Sequence, residues 1–232
     1  MRPRRFYSKG ESDSGQIEIV SDDLFHLKNV LRSKPGDKVE VFNGKGTIFS
    51  GKIMSIGNSK AIVNIDKKRT KKKPQVNIII APSLLKRKPM NLMIEKLTEM
   101  GVNEIRPVIF SRTEAVFASS AMKKWERTAL ESLKVNDNLW ASDIYQPCTV
   151  EELIKESDKI ENRILLDIKG KSSYIKSKGP FICVVGPPGD FTTEERDMFI
   201  KAGFTPLNIN ESVMKVETAA FSVVSILKYL TR

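Results

Sequence analysis

Two loops near the end of the chain carry the residue types best suited to holding a ligand. The first, Gly186-Pro-Pro-Gly-Asp190, follows the apolar run Phe181–Val185, and the second, Asn210–Lys215, follows a shorter run near Thr205–Ile209. Apolar runs of this length are typical of buried strands, which a glycine-and-proline turn must end. Both loops are therefore predicted at the carboxyl ends of parallel strands, where open α/β sheets bind their ligands.

The helices that must support these loops have recognisable starts and stops. Thr192-Thr-Glu-Glu195 forms a capping box for a helix that runs to about Ala202, with Gly203 as its stop. A final helix is predicted from about Val216 to Leu230, and it is apolar on nearly all sides. Such a helix belongs in a core or in an interface.

Several enzyme classes are excluded by what the sequence lacks. It has no Gly-Lys-Ser/Thr phosphate loop, no Gly-x-Gly-x-x-Gly and no Gly-x-Ser-x-Gly. His26 is the only histidine, which excludes mechanisms that need two, including most zinc hydrolases. Cys148 and Cys183 lack metal-ligand spacing, so no metal is expected. Taken alone, the two loops are more often ordinary turns, and their identification needs further residues.

Motifs in order along nearly the whole chain supply those residues. The family pattern Gly-Pro-Glu-Gly-Gly falls on Gly186–Asp190, a Leu-Gly turn on Ile209-Asn210, Ile-Leu-Arg on Val213–Lys215, and Glu-Thr-Ala is intact at Glu217–Ala219. Upstream, Glu95–Val102 is similar to Gln-Lys-Ala-Thr-Glu-Leu-Gly-Val, and Ser111-Arg112 matches a Ser-Arg pair. The chain thus resembles the RsmE family of SPOUT RNA methyltransferases, which methylates N3 of a uridine in small-subunit ribosomal RNA.

The resemblance implies S-adenosylmethionine as the cofactor and a particular site. The residues expected to bind the cofactor are Val185, Gly186, Pro187, Gly189, Ile209, Asn210, Ser212, Val213 and Met214. Methylation at N3 requires loss of a proton and leaves charge on two carbonyl oxygens, which a nearby cation would stabilise. Lys215, at the family's Arg position, is the first candidate for that role and Arg112 the second. No side chain is an obvious general base.

The chain departs from the family pattern at several positions. Pro188 replaces a glutamate, Asn210 replaces a glycine and can still adopt a left-handed backbone, and Lys215 keeps the charge of arginine without its planar fork. The Gln and Arg of a Glu-Gln-x-x-Arg motif are both missing from 131–135. The alternative hypothesis is therefore an RNA-binding relative that has lost or changed methyl transfer.

The first part of the chain is predicted to be a small β-barrel. Short strands at Val39–Phe42, Thr47–Met54 and Ala61–Ile65 are separated by turn signals, and one helix is expected, capped by Asp22 or Asp23 and ended by Pro35-Gly36. In the resembled family this is a PUA-like barrel that binds RNA. The residues expected to contact RNA, in this barrel and in a basic loop of the second domain, are Arg4, Arg5, His26, Arg32, Lys86 and Arg87.

The charge of the chain points to a polyanionic partner. It holds 39 Lys and Arg against 28 Asp and Glu, a formal net charge of +11, and cations that neutralise phosphates release counterions. Six of the seven residues in Lys67–Lys73 are basic. This run, followed by Pro74, is interpreted as a linker that divides the chain into domains at 1–70 and 74–232.

The predicted fold class is α/β. Alternating strands and helices after Val76, including a strand over Val102–Phe110 and a helix near Val150–Glu156, predict a parallel sheet of five or six strands. A trefoil knot at the carboxyl end is implied by the resemblance alone, as is a symmetric homodimer that packs through the helices after the two loops. The sequence shows no run long enough for a membrane helix and no signal peptide, and with its two unpaired cysteines it favours a reducing cytoplasmic location.

Overall fold

A computed structural model describes residues 4–10, 12, 15–171 and 179–231. Contacts divide the chain into two units. The first comprises Met1–Lys73 together with Leu133–Ala141, and the second comprises Pro74–Ser132 together with Ser142–Arg232. The nine residues 133–141 therefore leave the second unit and complete the first.

The first unit is built on one five-stranded sheet. In the described residues its elements are β1 (Arg4–Tyr7), β2 (Gln16–Val20), α1 (Ser21–Phe25), a π-helix (His26–Val30), β3 (Lys38–Phe42), β4 (Thr47–Ile56) and β5 (Lys60–Thr70). The strand order is β1-β3-β4-β5-β2, with β1 parallel to β3 and the other neighbours antiparallel. Residues alternate between buried and exposed along β2, as expected for a strand with one face in the core.

The core of this unit is a single apolar cluster. Leu24 and Leu27 pack there with alternate residues of the strands, including Phe6 and Phe49. The segment 133–141 is tied to the same unit, since Trp140 Nε1 donates a hydrogen bond to the carbonyl of Lys71 at 2.9 Å. A Cβ at Gly46 would lie 2.5 Å from the Trp140 ring, so only glycine leaves room for the indole there.

The first helix does not begin as predicted. Its N-cap is Val20, which makes no side-chain cap, and Ser21 adopts φ = 55°. The proposed cap Asp23 is instead buried, where its carboxylate accepts hydrogen bonds from the Tyr7 backbone N–H at 2.7 Å and from Lys134. Because both partners are distant in sequence, a local capping pattern could not reveal this role.

The basic run is also arranged differently from the prediction. Strand β5 continues to Thr70, so the cations Lys67, Lys68 and Arg69 lie on a strand that pairs with β4 rather than in a linker. Only the lysines from Lys71 onward fall outside regular structure. The charges of Lys67, Lys68 and Arg69 are therefore carried by a regular strand.

The second unit is an α/β sheet layered by helices. Its elements are β6 (Ile78–Pro82), α2 (Arg87–Glu99), β7 (Glu104–Ile105), α3 (Ala121–Ser132), β8 (Asp143–Ile144), α4 (Val150–Glu156), β9 (Asn162–Lys171), β10 (Phe181–Val185), α5 (Thr193–Lys201), β11 (Thr205–Leu207) and α6 (Val216–Leu230). Within its described residues, six parallel strands run in the order β11-β9-β10-β6-β7-β8. This confirms the predicted fold class and strand number, while the trefoil knot stays a prediction.

The two faces of this sheet carry separate apolar layers. One packs α2 and α6 against the sheet through residues such as Met93, Leu97 and Val223, and the other contains the aromatic rings of Phe110, Phe191, Phe199 and Phe204. Strands β6 and β10, at the centre, are buried along their whole length. Burial on both faces explains why their sequences are continuous apolar runs.

One predicted strand of this unit is much shorter than expected. Val102–Phe110 was predicted as a single strand, but only Glu104–Ile105 forms one, with a separate bridge at Val108. Pro107 interrupts the run, because proline has no N–H to donate to a sheet ladder.

Candidate functional site

A cleft of about 380 Å³ lies at the carboxyl ends of β10 and β11, beside residues 166–168 of β9. We call it the loop cleft, because its walls are the segments 185–191 and 207–214 with parts of β9 and α6. All nine residues predicted to bind the cofactor line it: Val185, Gly186, Pro187, Gly189, Ile209, Asn210, Ser212, Val213 and Met214. The cleft is the place that the strand–loop pattern predicts for a ligand.

The first loop is shaped by Phe191 behind it. A Cβ at Gly186 would lie 2.8 Å from the Phe191 ring, whose other contacts are edge-to-face with Phe110 at 5.4 Å between centroids. Gly186 is thus required by packing beneath the loop. Asp190 adopts φ = 64°, a left-handed conformation at a position where the family pattern has glycine, and its carboxylate accepts the Phe191 N–H at 2.8 Å.

The capping box after this loop is confirmed. Thr192 Oγ1 accepts the Glu195 N–H, and the Glu195 carboxylate accepts the Thr192 N–H at 2.9 Å. The second oxygen of Glu195 accepts the backbone N–H of Ser111 at 2.6 Å. The buried Glu195 therefore joins the start of α5 to the Ser111-Arg112 turn.

Arg112 binds the back of the first loop. Its Nη1 donates to the carbonyl of Gly189 and lies 3.4 and 3.5 Å from the carbonyls of Asp190 and Phe191. A Cβ at Gly189 would meet Arg112 Cδ at 3.3 Å, so the open side of this glycine faces Arg112 and not only a ligand. The geometry gives Arg112 the task of holding the loop, and its catalytic role stays a prediction.

Asn208 and Asn210 organise the second loop. Asn208 donates to the carbonyl of Ile168 at 2.9 Å and accepts the Asn210 N–H at 2.9 Å, while Asn210 donates to the carbonyl of Ser212 at 2.8 Å. Asn210 could have adopted a left-handed backbone but does not, since in the described chain the non-glycine residues with positive φ are Ser21, Arg32 and Asp190. Its side chain closes the turn by hydrogen bonding instead.

Backbone groups of this loop remain open to a ligand. In the part of the chain that the structure describes, the N–H groups of Ile209, Val213 and Met214 donate no hydrogen bond to the protein. The three residues that carry these donors line the loop cleft together with apolar side chains. Such a lining suits a flat, partly apolar ligand with hydrogen-bond acceptors.

The end of β9 forms a third wall that sequence reasoning missed. Leu166, Asp167 and Ile168 line the cleft, and the Asp167 side chain is 1% exposed and paired with Arg196. Asp167 also accepts the Lys169 N–H at 2.8 Å. An acid directly after the apolar residues 164–166 was the available signal, and its pairing with Arg196 marks it as support for the wall.

Lys215 lies beside the cleft without lining it. It is exposed and serves as the N-cap residue of α6, between Met214 and Val216, which both line the cleft. The N-terminus of a helix carries partial positive charge. The ammonium and the helix terminus therefore place positive potential at the same edge of the cleft.

Two of the residues predicted to contact RNA hold the first unit together. Arg4 donates to the carbonyl of Leu31 and to Ser33 Oγ, both at 3.1 Å. Arg5 has a side chain only 8% exposed and pairs with Glu40 at 2.8 Å. An arginine so enclosed is poorly placed to reach a phosphate, and we assign Arg5 to the stability of the unit.

His26 and Arg32 are exposed at the two ends of an unusual helical turn. The π-helix His26–Val30 is closed by the i to i+5 hydrogen bond from the Leu31 N–H to the His26 carbonyl at 3.0 Å. Arg32 follows with φ = 48°. π-Helical turns and left-handed residues other than glycine both concentrate at functional sites.

Arg32→Gly should therefore separate stability from binding. Glycine relieves the left-handed backbone, so we expect the free energy of unfolding to rise by about 0.5–1 kcal/mol. If Arg32 contacts RNA, affinity for RNA should fall in the same variant. Urea unfolding and RNA titration measure the two effects, and Lys34→Gly, close by but with ordinary φ, is the control.

The remaining predicted RNA contacts, Lys86 and Arg87, lie at the start of α2. Lys86 pairs with Glu114 at 2.7 Å, with both side chains largely exposed. This hydrogen bond holds the pKa of the Glu114 carboxyl below its usual value. Arg87 is exposed and is the first residue of the helix.

Other chemistries find no support in the described residues. Burial raises the pKa of the Cys148 thiol to about 11 and that of the Cys183 thiol further still, so neither supplies a thiolate nucleophile near neutral pH. Across residues 4–10, 12, 15–171 and 179–231, no three His, Cys, Asp or Glu side chains cluster as metal ligands would. None of the helices within those ranges combines the length and apolar character that a membrane crossing requires.

Comparison with known proteins identifies the family of the chain that carries the loop cleft. Residues 71–228 match the family profile described as RNA methyltransferase domain, and residues 21–66 match that of the RNA methyltransferase PUA domain. The chain belongs to the RNA methyltransferase family. The second profile covers most of the first unit, from α1 to β5.

Relatives of this RNA methyltransferase match it from end to end. Proteins named ribosomal RNA small subunit methyltransferase E are 25% identical in Rickettsia conorii, covering 99% of this chain and 97% of the relative, and 27% identical in Aquifex aeolicus, covering 96% and 97%. Among solved structures, a methyltransferase from Legionella pneumophila with bound SAM has a TM-score of 0.91 at 24% identity, and covers 99% of this chain and 98% of that one.

A second structure gives the same result for the fold. The ribosomal RNA small subunit methyltransferase E of Neisseria gonorrhoeae, bound to S-adenosyl methionine, has a TM-score of 0.88 at 22% identity over 99% of this chain and 98% of that one. This RNA methyltransferase therefore shares the complete two-unit fold of these proteins. At identities of 24% and 22%, these structures establish the shared fold, and the chemistry of this chain follows from the residues of its own site.

Proposed function

We propose that this RNA methyltransferase transfers a methyl group from S-adenosylmethionine to N3 of a uridine in small-subunit ribosomal RNA. The observation that carries the proposal is the loop cleft, where both family loops meet at the carboxyl ends of two parallel strands, beside β9. The full-length relatives named ribosomal RNA small subunit methyltransferase E supply the RNA class.

The residues of the loop cleft fit this cofactor. Its volume of about 380 Å³ falls within the range of about 300–1,000 Å³ usual for ligand sites. Apolar side chains such as Leu166 and Ile209 line it together with the open N–H groups of the second loop. The nine residues predicted to bind the cofactor would thus hold an adenosine mainly through backbone groups. Binding of that kind explains why the loops tolerate Pro188 and Asn210 in place of the residues of the family pattern.

The bound cofactor supplies an activated methyl group, which leaves the protein the tasks of alignment and charge stabilisation. The uridine must lose its N3 proton, which passes to solvent water since no side chain is an obvious general base, and the negative charge that remains spreads over two carbonyl oxygens. We assign the stabilisation of that charge to Lys215, aided by the N-terminus of α6. Arg112 keeps the first loop in position through its carbonyl contacts.

The proposal is tested by binding and by product. Calorimetry should show S-adenosylmethionine binding to the purified protein, and incubation with unmodified small-subunit RNA should yield N3-methyluridine by mass spectrometry of nucleosides. Binding without any product would favour a retargeted enzyme. Absence of both binding and product would leave the non-catalytic RNA-binding relative.

The remaining RNA contacts belong to the same proposal. We assign Arg4, His26 and Arg32 of the first unit, with Lys86 and Arg87 of the second, to contacts with the RNA substrate, since all five are exposed. We also propose a cytoplasmic location, which suits an enzyme with a ribosomal RNA substrate.

A homodimer is also proposed. One face of α6 is buried in its own unit through Ala220, Val223, Val224 and Leu227, whereas the opposite face carries Phe221, Ser222 and Ser225, only partly covered. We propose that a second copy covers this outer face, through a symmetric contact. Sedimentation at micromolar concentration should therefore give about twice the mass of 26.2 kDa. Sedimentation as a monomer would contradict it.

A further inference from the structure

A second cleft, of about 510 Å³, opens in the second unit away from the loop cleft. It lies between the turn after β6, the first turn of α2, the segment 114–121 and the start of α3. We call it the basic cleft. It shares no lining residue with the loop cleft, so the cofactor site does not account for it.

The floor of the basic cleft is apolar and aromatic. Leu85 and Trp125 are almost buried there, and Phe117 packs against Trp125 with 5.6 Å between ring centroids. Val116 beside them is 94% exposed. An apolar floor next to aromatic rings suits a nucleobase, which every RNA offers as a flat π surface.

One polar atom in this lining has no partner. Asn91 Oδ1, on the first turns of α2, is buried and, within the described chain, accepts no hydrogen bond. A buried acceptor left unpaired is costly, and such groups are rare in folded proteins. A ligand with an N–H donor would satisfy it, and the edge of a nucleobase carries such donors.

The rim of the basic cleft is cationic. Lys86, Arg87 and Lys124 line it, and Lys123 follows along an adjoining groove. Lys86 is paired with Glu114, but in the described chain the side chains of Arg87, Lys123 and Lys124 make no hydrogen bond or ion pair. Three exposed cations without protein partners around an apolar pocket match an anionic ligand with an apolar part.

We propose that the basic cleft binds one nucleotide of single-stranded RNA outside the methylated position. The base enters over Phe117 with its N–H edge toward Asn91 Oδ1, and the flanking phosphates lie on Arg87 and Lys124. The proposal rests on the proposed function only in that RNA is the substrate class. It adds a binding site separate from the cofactor and so defines a second point at which the substrate is fixed.

The test measures RNA affinity without cofactor, so that it does not depend on methyl transfer. A fluorescein-labelled ten-nucleotide single-stranded RNA of mixed sequence is titrated by anisotropy between 50 and 200 mM salt. The double variant Arg87→Gln/Lys124→Gln loses two phosphate contacts, so its affinity for the RNA should fall by about 25-fold at 0.1 M salt. The salt slope, which is the slope of log affinity against log salt concentration, should decrease in magnitude by about 1.4. The charge-matched control Lys155→Gln/Lys159→Gln alters two exposed lysines near α4 and should retain affinity.

Asn91→Leu separates base recognition from charge. Leucine keeps the size of the side chain but removes the acceptor, so affinity should fall by about fivefold while the salt slope stays unchanged. Its melting temperature should not drop, because an unpaired buried acceptor has been removed. The proposal would be overturned if RNA affinity were unchanged in both Arg87→Gln/Lys124→Gln and Asn91→Leu. It would also be overturned if these variants lost no more RNA affinity than the Lys155→Gln/Lys159→Gln control. Intact RNA binding in a protein that forms no methylated product would instead reject the proposed function alone.

Discussion

Replacing Lys215 with alanine is expected to lower the methylation rate by about two orders of magnitude while leaving affinity for S-adenosylmethionine close to normal. The ammonium lies at the N-terminus of α6 between two residues of the loop cleft, but does not itself line the cleft. Its loss should therefore affect the charge that develops on the uridine and leave the bound cofactor unchanged. Single-turnover rates and calorimetric affinity measure the two effects separately.

The conservative variant sharpens this result. Lys215→Arg restores the residue of the family pattern, so its rate should stay within a few-fold of the original, and Lys159→Ala controls for the loss of an exposed lysine elsewhere in the unit. If Lys215→Ala weakens cofactor binding but turns over normally at saturation, Lys215 only shapes the loop. Neither cysteine is expected to contribute to the pH dependence of the methylation rate, since burial raises the pKa of both thiols.

Local signals predicted the parts of the fold that local energetics determine. The helix over Val216–Leu230, the strand Phe181–Val185 and the helix Val150–Glu156 begin and end where the sequence indicates. The strand is a continuous apolar run and the final helix is apolar on nearly all sides, signals that no distant residue overrides. The same holds for the loop cleft, because parallel strands bring their carboxyl ends to one edge of the sheet.

The features that sequence reasoning missed depend on distant partners. Asp23 was predicted to cap a helix, but it accepts hydrogen bonds from Tyr7 and Lys134. Segment 133–141 was assigned to the second domain and packs in the first unit, through contacts such as that of Trp140 with Lys71. Neither pairing leaves a periodic or local trace in the sequence.

The sequence makes Arg112 the second candidate for stabilising the charge on the uridine, whereas its contacts with the first loop indicate positioning, and Arg112→Met should distinguish the two roles. Methionine keeps much of the apolar stem but removes the donors to the carbonyls of Gly189, Asp190 and Phe191. Hydrogen bonds from a charged donor contribute about 1.5–3 kcal/mol. Since these bonds hold the loop that lines the cleft, we expect cofactor affinity to fall by about 10- to 100-fold.

The pattern of effects distinguishes the two roles. If Arg112 only positions the loop, its loss should raise KM for S-adenosylmethionine and leave the rate at saturating cofactor near normal. Arg112→Lys should recover part of the affinity, because one donor can still reach the Gly189 carbonyl. Arg69→Met, an exposed arginine of β5, controls for the loss of charge. Gly189→Ala should reproduce a milder form of the defect, because its Cβ would press on Arg112 Cδ at 3.3 Å. Unchanged cofactor affinity with a much slower rate would instead place Arg112 at the reacting uridine, since a group that only positions the loop cannot slow a saturated enzyme in that way.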